Sequence, residues 1–103
     1  MSPLVRTGIF RIYQESLTNI ARHAKATRVD INLSVTNDNL LLTIKDNGQG
    51  FNLNSSERRK TLGLLGMKER AIMIGATLKI TSAPSEGALV EITAPLVKEQ
   101  GAG

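Results

Sequence analysis

A long stretch of helical periodicity at the start of the chain is the feature that most constrains its fold. From Leu4 to Ala24 apolar residues recur three and four positions apart, which is typical of an amphipathic α-helix, and Pro3 suits its first turn. From Val29 to Val35 the pattern changes to strict alternation, which predicts a half-buried β-strand. A helix followed by a strand, each apolar on one side, is typical of a domain that packs helices against a sheet.

The pattern after the first strand predicts a second strand, a second helix and a final hairpin. These elements cover residues 40–44, 63–75, 77–81 and 89–93, with turns at 36–39 and 84–87. Gly75 is a suitable C-terminal cap for the second helix, because glycine adopts the left-handed conformation at little cost. Helices segregated from antiparallel hairpins predict an α+β fold. We expect a two-layer sandwich whose mixed, largely antiparallel sheet is covered on one face by helices.

The composition excludes several functional classes. The 103 residues contain no cysteine, which removes disulfides, thiolate metal sites and cysteine nucleophiles. The absence of cysteine fits a cytoplasmic domain, either free or the cytoplasmic part of a membrane-bound receptor, and no apolar run approaches the roughly 18 residues that a membrane span requires. The formal net charge of +4 suits a polyanionic ligand. Aromatic residues make up 3% of the chain, too few for the stacking platforms that bind single-stranded nucleic acid.

A polar stripe runs along the predicted first helix. Its members, spaced four residues apart, are Arg11, Glu15, Asn19 and His23. Glu15 and Asn19 place a carboxylate and an amide oxygen one turn apart, and such a pair can share Mg²⁺ or a water. Arg22 and Lys25 add cations at the same end. The stripe is also typical of a solvated helix face with i, i+4 pairs, which for the helix alone is the commoner case.

Two glycine-containing segments follow the second strand and open the second helix. Asp46-Asn-Gly-Gln-Gly50 is either a tight turn or a place where backbone approaches a ligand, with Asp46 accepting a hydrogen bond. Gly63-Leu-Leu-Gly-Met67 offers helix-start N–H groups to an anion, although by itself a plain helix start with Gly66 placed for packing explains it better. Residues 51–62 are polar and without periodicity, which is typical of a lid or binding loop.

In this order and at these separations the three motifs resemble the GHKL ATPase superfamily. The segments Arg11-Ile-Tyr-Gln-Glu-Ser-Leu-Thr-Asn-Ile-Ala-Arg-His-Ala24 and Gly63-Leu-Leu-Gly-Met-Lys-Glu-Arg70 resemble, more narrowly, the catalytic domains of sensor histidine kinases that pair with NarL/LuxR-type response regulators. The resemblance runs from about residue 3 to residue 96. It implies a Bergerat-type fold, Mg-ATP as the ligand, and transfer of the γ-phosphoryl group to a histidine on a separate dimerisation domain, with a response regulator downstream.

The resemblance also implies a role for each matching residue. Asn19 matches a Mg²⁺ ligand, Glu15 the base or polarising acid for the attacking group, and Asp46 the acceptor of the adenine amine. The other residues implied to contact the nucleotide are Arg22, His23, Lys25, Gly48, Gly50, Gly63, Leu64, Gly66 and Met67. Residues 52–62 match the ATP lid. His23 lies within the first motif, without the acidic neighbour of an acceptor histidine, so we do not expect it to be phosphorylated.

Two departures from the family pattern bear on stability and activity. Thr61 stands where a further glycine is usual, which would stiffen the lid or loosen the phosphate contact. The edge strand that precedes the first helix in the family is absent, so we expect residues 3–97 to form the domain without it and residues 98–103 to be a disordered tail.

The sequence leaves two other functions open. One is a serine kinase of the anti-sigma-factor type from the same superfamily, and the other is a nucleotide-sensing or protein-docking module without catalysis. Nucleic acid is not an expected partner, and we expect the fragment to be monomeric.

Overall fold

The structure is a computed structural model that describes residues 2–49, 58–83 and 85–96, with the backbone alone at residues 23, 24 and 58–63. The elements in chain order are α1 (Pro3–Asn19), a π-helical turn (Ile20–Ala24), β1 (Val29–Thr36), β2 (Asn39–Asp46), α2 (Arg58–Met73), β3 (Thr77–Ser82) and β4 (Ala88–Pro95). The strands form an antiparallel sheet in the order β1-β2-β4-β3, and both helices lie against one of its faces. The predicted α+β architecture is confirmed.

α1 begins and ends close to the predicted residues. Ser2 is its N-cap, since the Ser2 Oγ accepts a hydrogen bond from the Val5 N–H at 3.1 Å, and Pro3 follows in the first turn. The helical backbone reaches Ala24 as predicted, but its last turn is π-helical. Lys25 then takes a left-handed φ of 52°, which ends the helix.

α1 and the end of α2 approach each other closely at Gly8. A Cβ placed on Gly8 would lie 2.7 Å from Cγ2 of Ile74, closer than side chains tolerate. The helices therefore cross where one of them has no side chain. The core that they share with the sheet consists of Ile9, Ile12, Leu42, Ile44, Met67, Ala71, Ile74, Val90, Ile92 and Ala94.

The register of the strands separates an apolar face from a polar one. On the inner face Leu42 lies opposite Ile92, and both are buried beneath the helices. On the outer face Glu91 lies between Thr43 and Lys79, so opposite charges are neighbours in the solvent. An antiparallel sheet with helices on one side gives this arrangement.

The prediction that β1 is half buried is wrong. Its apolar residues do share the core face, since Ile31 lies opposite Ile44 and Leu33 opposite Leu42. Leu33 and Val35 are nevertheless 65% and 62% exposed. β1 is an edge strand, and the helices pack over β3 and β4 at the other side of the sheet. The alternation identifies which residues of β1 share one face, but it carries no information about which part of the sheet the helices cover.

α2 begins at Arg58 rather than at Gly63. Residues 58–62, predicted to belong to the lid, are therefore helical, while residues 52–57 lie outside the described part of the chain. Arginine, lysine and leucine are good helix formers, and their intrinsic propensity extends a helix without an apolar face. The prediction had required such a face and so placed the start too late.

The C-terminus of α2 has the predicted glycine cap. Gly75 has a left-handed φ of 71°, the Ala76 N–H donates to the Ala71 carbonyl at 2.8 Å, and the Gly75 N–H donates to the Ile72 carbonyl at 3.1 Å. This is the Schellman arrangement. No helix in the described ranges has the length and apolar character needed to cross a bilayer. The predicted tail at 98–103 lies outside those ranges.

Candidate functional site

Asp46, the last residue of β2, carries a buried carboxylate at the end of the sheet. Asp46 follows Leu42 and Ile44 at two-residue spacing, so its side chain lies on the same, helix-covered face of the sheet. The residue is 4% exposed, and its Oδ1 accepts a hydrogen bond from the Gly48 N–H at 2.8 Å. In the described part of the chain nothing donates to Oδ2. The second oxygen can therefore accept a hydrogen bond from a ligand.

Asn47 connects this segment to the loop that leads into β1. Its Oδ1 accepts hydrogen bonds from the Thr27 and Arg28 N–H groups, both at 2.9 Å, and its Nδ2 donates to Thr27 Oγ1 at 2.9 Å. The Asn47 N–H also donates to the Arg28 carbonyl at 3.2 Å. Asn-Gly in the sequence indicated a turn, and nothing local showed that Asn47 would bond residues so distant along the chain.

The β3–β4 hairpin holds the same segment from the other side. A Cβ placed on Gly87 would overlap the Asp46 carbonyl oxygen and lie 3.1 Å from the Asp46 carbonyl carbon. The Ser85 N–H donates to the Gln49 carbonyl, and Ser82 Oγ donates to the Gly87 carbonyl at 2.8 Å. The sequence assigned Gly87 to a turn. Its second function, to let the hairpin reach Asp46, depends on a contact between distant residues.

The polar stripe of α1 lies at the boundary of the core. Glu15 and Asn19 are half-buried, and Ser16 beside them is buried, with its Oγ donating to the Ile12 carbonyl at 2.9 Å and lying 3.5 Å from Met67 Sδ. Ser16 is not identified by the sequence motifs, although its hydroxyl falls in line with the apolar residues of α1, which is a signal of a buried polar group. The Ser16–Met67 contact joins the first motif to the second glycine motif.

The stripe is not a row of ion pairs. Across the described residues the ion pair that forms is Arg28–Asp30, with Arg28 Nε 3.0 Å from Asp30 Oδ1, and Glu15 has no cationic partner. An ion pair between Arg11 and Glu15, one helical turn apart, is therefore not the reason for the stripe. Glu15 and Asn19 keep their oxygens available for a ligand.

Cationic side chains lie at the end of the π-helical turn. Arg22 and Lys25 are both exposed, so their charges face solvent without a carboxylate partner in the described part of the chain. A short π-helical segment is itself frequent at functional sites. The backbone of His23 belongs to this turn, and its side chain lies outside what the structure describes.

The second glycine motif lies inside α2, not at its start. Because α2 begins at Arg58, the N–H groups around Gly66 belong to a helix interior, and the prediction of helix-start amides there is wrong. Among the described residues a Cβ on Gly66 would meet no atom of another element within 4 Å, so packing against those residues does not explain this glycine either. Leu64 packs against the core, and Met67 is 2% exposed within it.

The remaining predicted residues are partly described. Gly48 is buried, Gly63 is described through its backbone within α2, and Gly50 lies outside the described ranges. Among the residues that are described, no three His, Cys, Asp or Glu side chains come together as a metal site. Asn19 and Glu15 are two side chains that carry oxygen ligands, an amide oxygen and a carboxylate. Mg²⁺ is commonly held in this way, because it keeps several waters and takes other ligands from substrate phosphates.

Both a family model and curated relatives match this sequence over nearly its whole length. Residues 5–98 match the family model described as histidine kinase-, DNA gyrase B- and HSP90-like ATPase. The sensor protein VraS of Staphylococcus aureus (strain COL) is 46% identical over 95 residues, which cover 92% of this chain and 27% of the relative. VraS of Staphylococcus epidermidis (strain ATCC 12228 / FDA PCI 1200) is 45% identical over 96 residues. The chain thus spans about a quarter of these relatives, 27% of their length.

Solved structures match the fold as well. The histidine kinase domain of the blue-light activated kinase EL346 from Erythrobacter litoralis superposes with a TM-score of 0.75 at 27% identity, covering 90% of this chain and 45% of that one. The ATP-binding domain of PrrB from Mycobacterium tuberculosis gives a TM-score of 0.71 at 24% identity, covering 89% of this chain and 69% of that one. The second likeness concerns the fold alone.

Proposed function

The chain belongs to the histidine kinase-, DNA gyrase B- and HSP90-like ATPase family, and on this basis we propose that it binds Mg-ATP and transfers the γ-phosphoryl group to a histidine on a separate dimerisation domain. It is an ATP-binding domain of the kind found in sensor histidine kinases, the sensory half of two-component signalling. The chain spans 27% of its staphylococcal relatives, so the transfer step and its protein partners are part of the proposal.

The observation that supports nucleotide binding most directly is the Asp46 carboxylate. Its residue is 4% exposed and its Oδ1 is already bonded to the Gly48 N–H, which leaves Oδ2 to accept one hydrogen bond. Adenine carries an amine donor where guanine carries a carbonyl acceptor. A buried carboxylate would therefore accept adenine and reject guanine, since guanine would leave two acceptors facing each other.

Residues of the helix stripe would hold the metal and the reacting groups. We assign the Asn19 side-chain oxygen as a Mg²⁺ ligand and Glu15 as the base or polarising acid for the attacking histidine. Both are half-buried and free of ion pairs with other described residues. Bound Mg²⁺ supplies charge neutralisation on the phosphates, which is what phosphoryl transfer chiefly requires from a protein site.

The phosphate groups would lie towards the cationic end of that helix. Arg22 and Lys25 are exposed, and His23 follows Arg22 in the chain. Gly66 would let the nucleotide approach the surface of α2, because the position of its missing Cβ is open space among the described residues. Leu64 and Met67 would lie beside the nucleotide, and Met67 also fills the core.

A response regulator is the expected downstream partner, and we propose one of the NarL/LuxR type. The proposal rests on the resemblance of the segments at 11–24 and 63–70 to the kinases of that branch. The serine-kinase and non-catalytic alternatives are not favoured, because the relatives are named as sensor proteins and histidine kinases.

Calorimetric titration of Mg-ATP and Mg-GTP against the chain and against Asp46→Asn tests the site. We expect Mg-ATP to bind, Mg-GTP to bind much more weakly, and Asp46→Asn to lose roughly tenfold or more in ATP affinity, as expected for a hydrogen bond to a charged group. Asp38→Asn is the matched control, because Asp38 is exposed in the β1–β2 turn at the far end of the sheet. An Asp46→Asn variant that binds Mg-ATP like the parent chain would refute the assignment.

A second experiment tests the transfer. The chain is mixed with Mg-ATP labelled at the γ-phosphate and with a dimerisation domain from a sensor histidine kinase, and the products are treated with acid. Acid-labile label on the partner supports transfer to histidine, whereas acid-stable label indicates a serine kinase. Label-free partner together with measurable Mg-ATP binding would favour the non-catalytic module.

A further inference from the structure

Asn47 has a larger structural role than its place beside Asp46 suggests. We propose that Asn47 is a positioning residue that sets the separation between the nucleobase-binding carboxylate of Asp46 and the cationic end of the first helix. It would thereby determine how much the phosphate groups add to nucleotide affinity. This inference rests on the proposed function, since it assigns a further residue to the same site.

The hydrogen bonds of Asn47 converge on one short loop. Its side chain accepts from the N–H groups of Thr27 and Arg28 and donates to the Thr27 hydroxyl, all at 2.9 Å. Its own N–H donates to the Arg28 carbonyl at 3.2 Å. A single residue thus fixes two consecutive backbone N–H groups that belong neither to the helix nor to the interior of β1. These groups would otherwise be bonded to water.

This loop, residues 25–28, directly follows the cationic end of the helix. Lys25 ends the π-helical turn with a left-handed φ of 52°, and Ala26 is the residue between it and Thr27. Since a left-handed lysine is an uncommon conformation, the chain direction at Lys25 needs support from its neighbours. The Thr27 and Arg28 N–H groups donate to Asn47 Oδ1, and Asn47 Nδ2 donates to Thr27 Oγ1, which provides that support. The position of Lys25 relative to Asp46 therefore depends on Asn47, and Arg22 belongs to the π-helical turn that Lys25 ends.

Asp46 itself is held independently of Asn47. The Gly48 N–H bonds its carboxylate, Ala88 pairs with it across the sheet, and Gly87 packs against its carbonyl group. Loss of the Asn47 side chain should therefore leave base recognition in place and move the cationic loop. Asparagine is suited to this position, because its amide oxygen accepts two N–H donors while its amide nitrogen donates to a hydroxyl.

The test compares adenosine with Mg-ATP on Asn47→Ala. Adenosine would bind through Asp46 alone, whereas ATP would also contact the cationic residues Arg22 and Lys25. The dissociation constant of adenosine divided by that of Mg-ATP therefore isolates the phosphate contribution. Titrations followed by ¹⁵N NMR give both constants and show whether the fold is intact. We expect Asn47→Ala to weaken Mg-ATP binding by about tenfold, the effect of one to two hydrogen bonds, and adenosine binding by less than about twofold.

Asn39→Ala is the matched control, because Asn39 lies at the other end of β2 and, within the described part of the chain, its Nδ2 donates only to the nearby Asn37 carbonyl, at 3.3 Å. If Asn47→Ala does not fold, Thr27→Val decides the question. It removes the hydroxyl contact and keeps both N–H bonds, and we expect it to lower the same ratio by about twofold. Equal losses for adenosine and Mg-ATP, or an unchanged ratio in both variants, would overturn the inference. A parent chain that binds neither ligand would instead refute the proposed function.

Discussion

Gly87 and Asp46 are in direct backbone contact. The α-carbon of Gly87, in the β3–β4 hairpin, faces the Asp46 carbonyl group so closely that a Cβ would lie 3.1 Å from the carbonyl carbon and overlap the oxygen. Gly87 also has a left-handed φ of 73°. Two requirements, conformation and space, therefore select glycine at one position. The β3–β4 hairpin therefore packs against the backbone of Asp46, the residue that we assign to base recognition.

Gly87→Ala should unfold the chain more readily and weaken Mg-ATP binding. Strain at a left-handed residue and overlap with a backbone carbonyl together should cost roughly 2–5 kcal/mol in the free energy of unfolding. Gly75→Ala is the control, since Gly75 has a φ of 71° but a Cβ there would meet no atom of the described residues within 4 Å. It should cost about 1–2 kcal/mol, from conformation alone, and leave ATP affinity unchanged. Urea denaturation and calorimetry measure both quantities, and equal costs for the two variants would contradict the close contact.

Gly8→Ala should destabilise the crossing of α1 and α2. The new methyl group would lie 2.7 Å from Cγ2 of Ile74, so the helices must separate or Ile74 must change rotamer, at about 1–3 kcal/mol. Ile74→Ala removes the opposing atoms. If the contact is real, the double variant should be more stable than the sum of the single effects predicts, by about 1 kcal/mol or more. Strict additivity in urea denaturation would argue against it.

Met67→Ala should destabilise the chain by about 2–5 kcal/mol, because Met67 is 2% exposed and fills the core beside Ser16. Met67→Leu conserves volume and should cost less than about 1.5 kcal/mol. Thermal unfolding followed by circular dichroism distinguishes the two. A stable Met67→Leu variant that has lost Mg-ATP affinity would show that Met67 contacts the nucleotide as well as the core.

Leu33 and Leu42 should respond very differently to substitution although they lie opposite each other in the sheet. Leu33 is 65% exposed, so Leu33→Thr should change the free energy of unfolding by less than about 0.5 kcal/mol. Leu42 is 6% exposed, and Leu42→Ala should cost about 2–5 kcal/mol. Similar losses for both variants would show that β1 is covered in solution.

Much of the local structure follows from the sequence because it depends on neighbours in the chain. Ser2 and Pro3 fix the start of α1, and Gly75 fixes the end of α2. Asn37 and Asp38 both take left-handed φ angles, 50° and 63°, which asparagine and aspartate tolerate in a tight hairpin. The order of helices and strands, and the antiparallel pairing of β1 with β2, follow from such signals together with the alternation of apolar residues.

The candidate site followed from the sequence only in part. The motifs around Asn19 and Asp46 were visible as residue types at meaningful spacings, and the resemblance gave them roles. Ser16, Asn47 and Gly87 were not recognised, because each acts on a residue far from it in the chain: Met67, Thr27 and Asp46 respectively. The start of α2 was also misplaced, since helix propensity rather than amphipathicity extends it to Arg58.

The sequence by itself therefore determined the elements, their caps and the chemistry of the motifs, because hydrogen bonding within a turn and side-chain periodicity are local. Tertiary structure decided which strand lies at the edge, which apolar residues remain exposed, and which backbone groups meet at Asp46. Those outcomes depend on contacts that close long stretches of chain. A half-buried pattern such as that of β1 cannot reveal whether a helix will lie over it, and a glycine such as Gly87 cannot reveal which carbonyl it will contact.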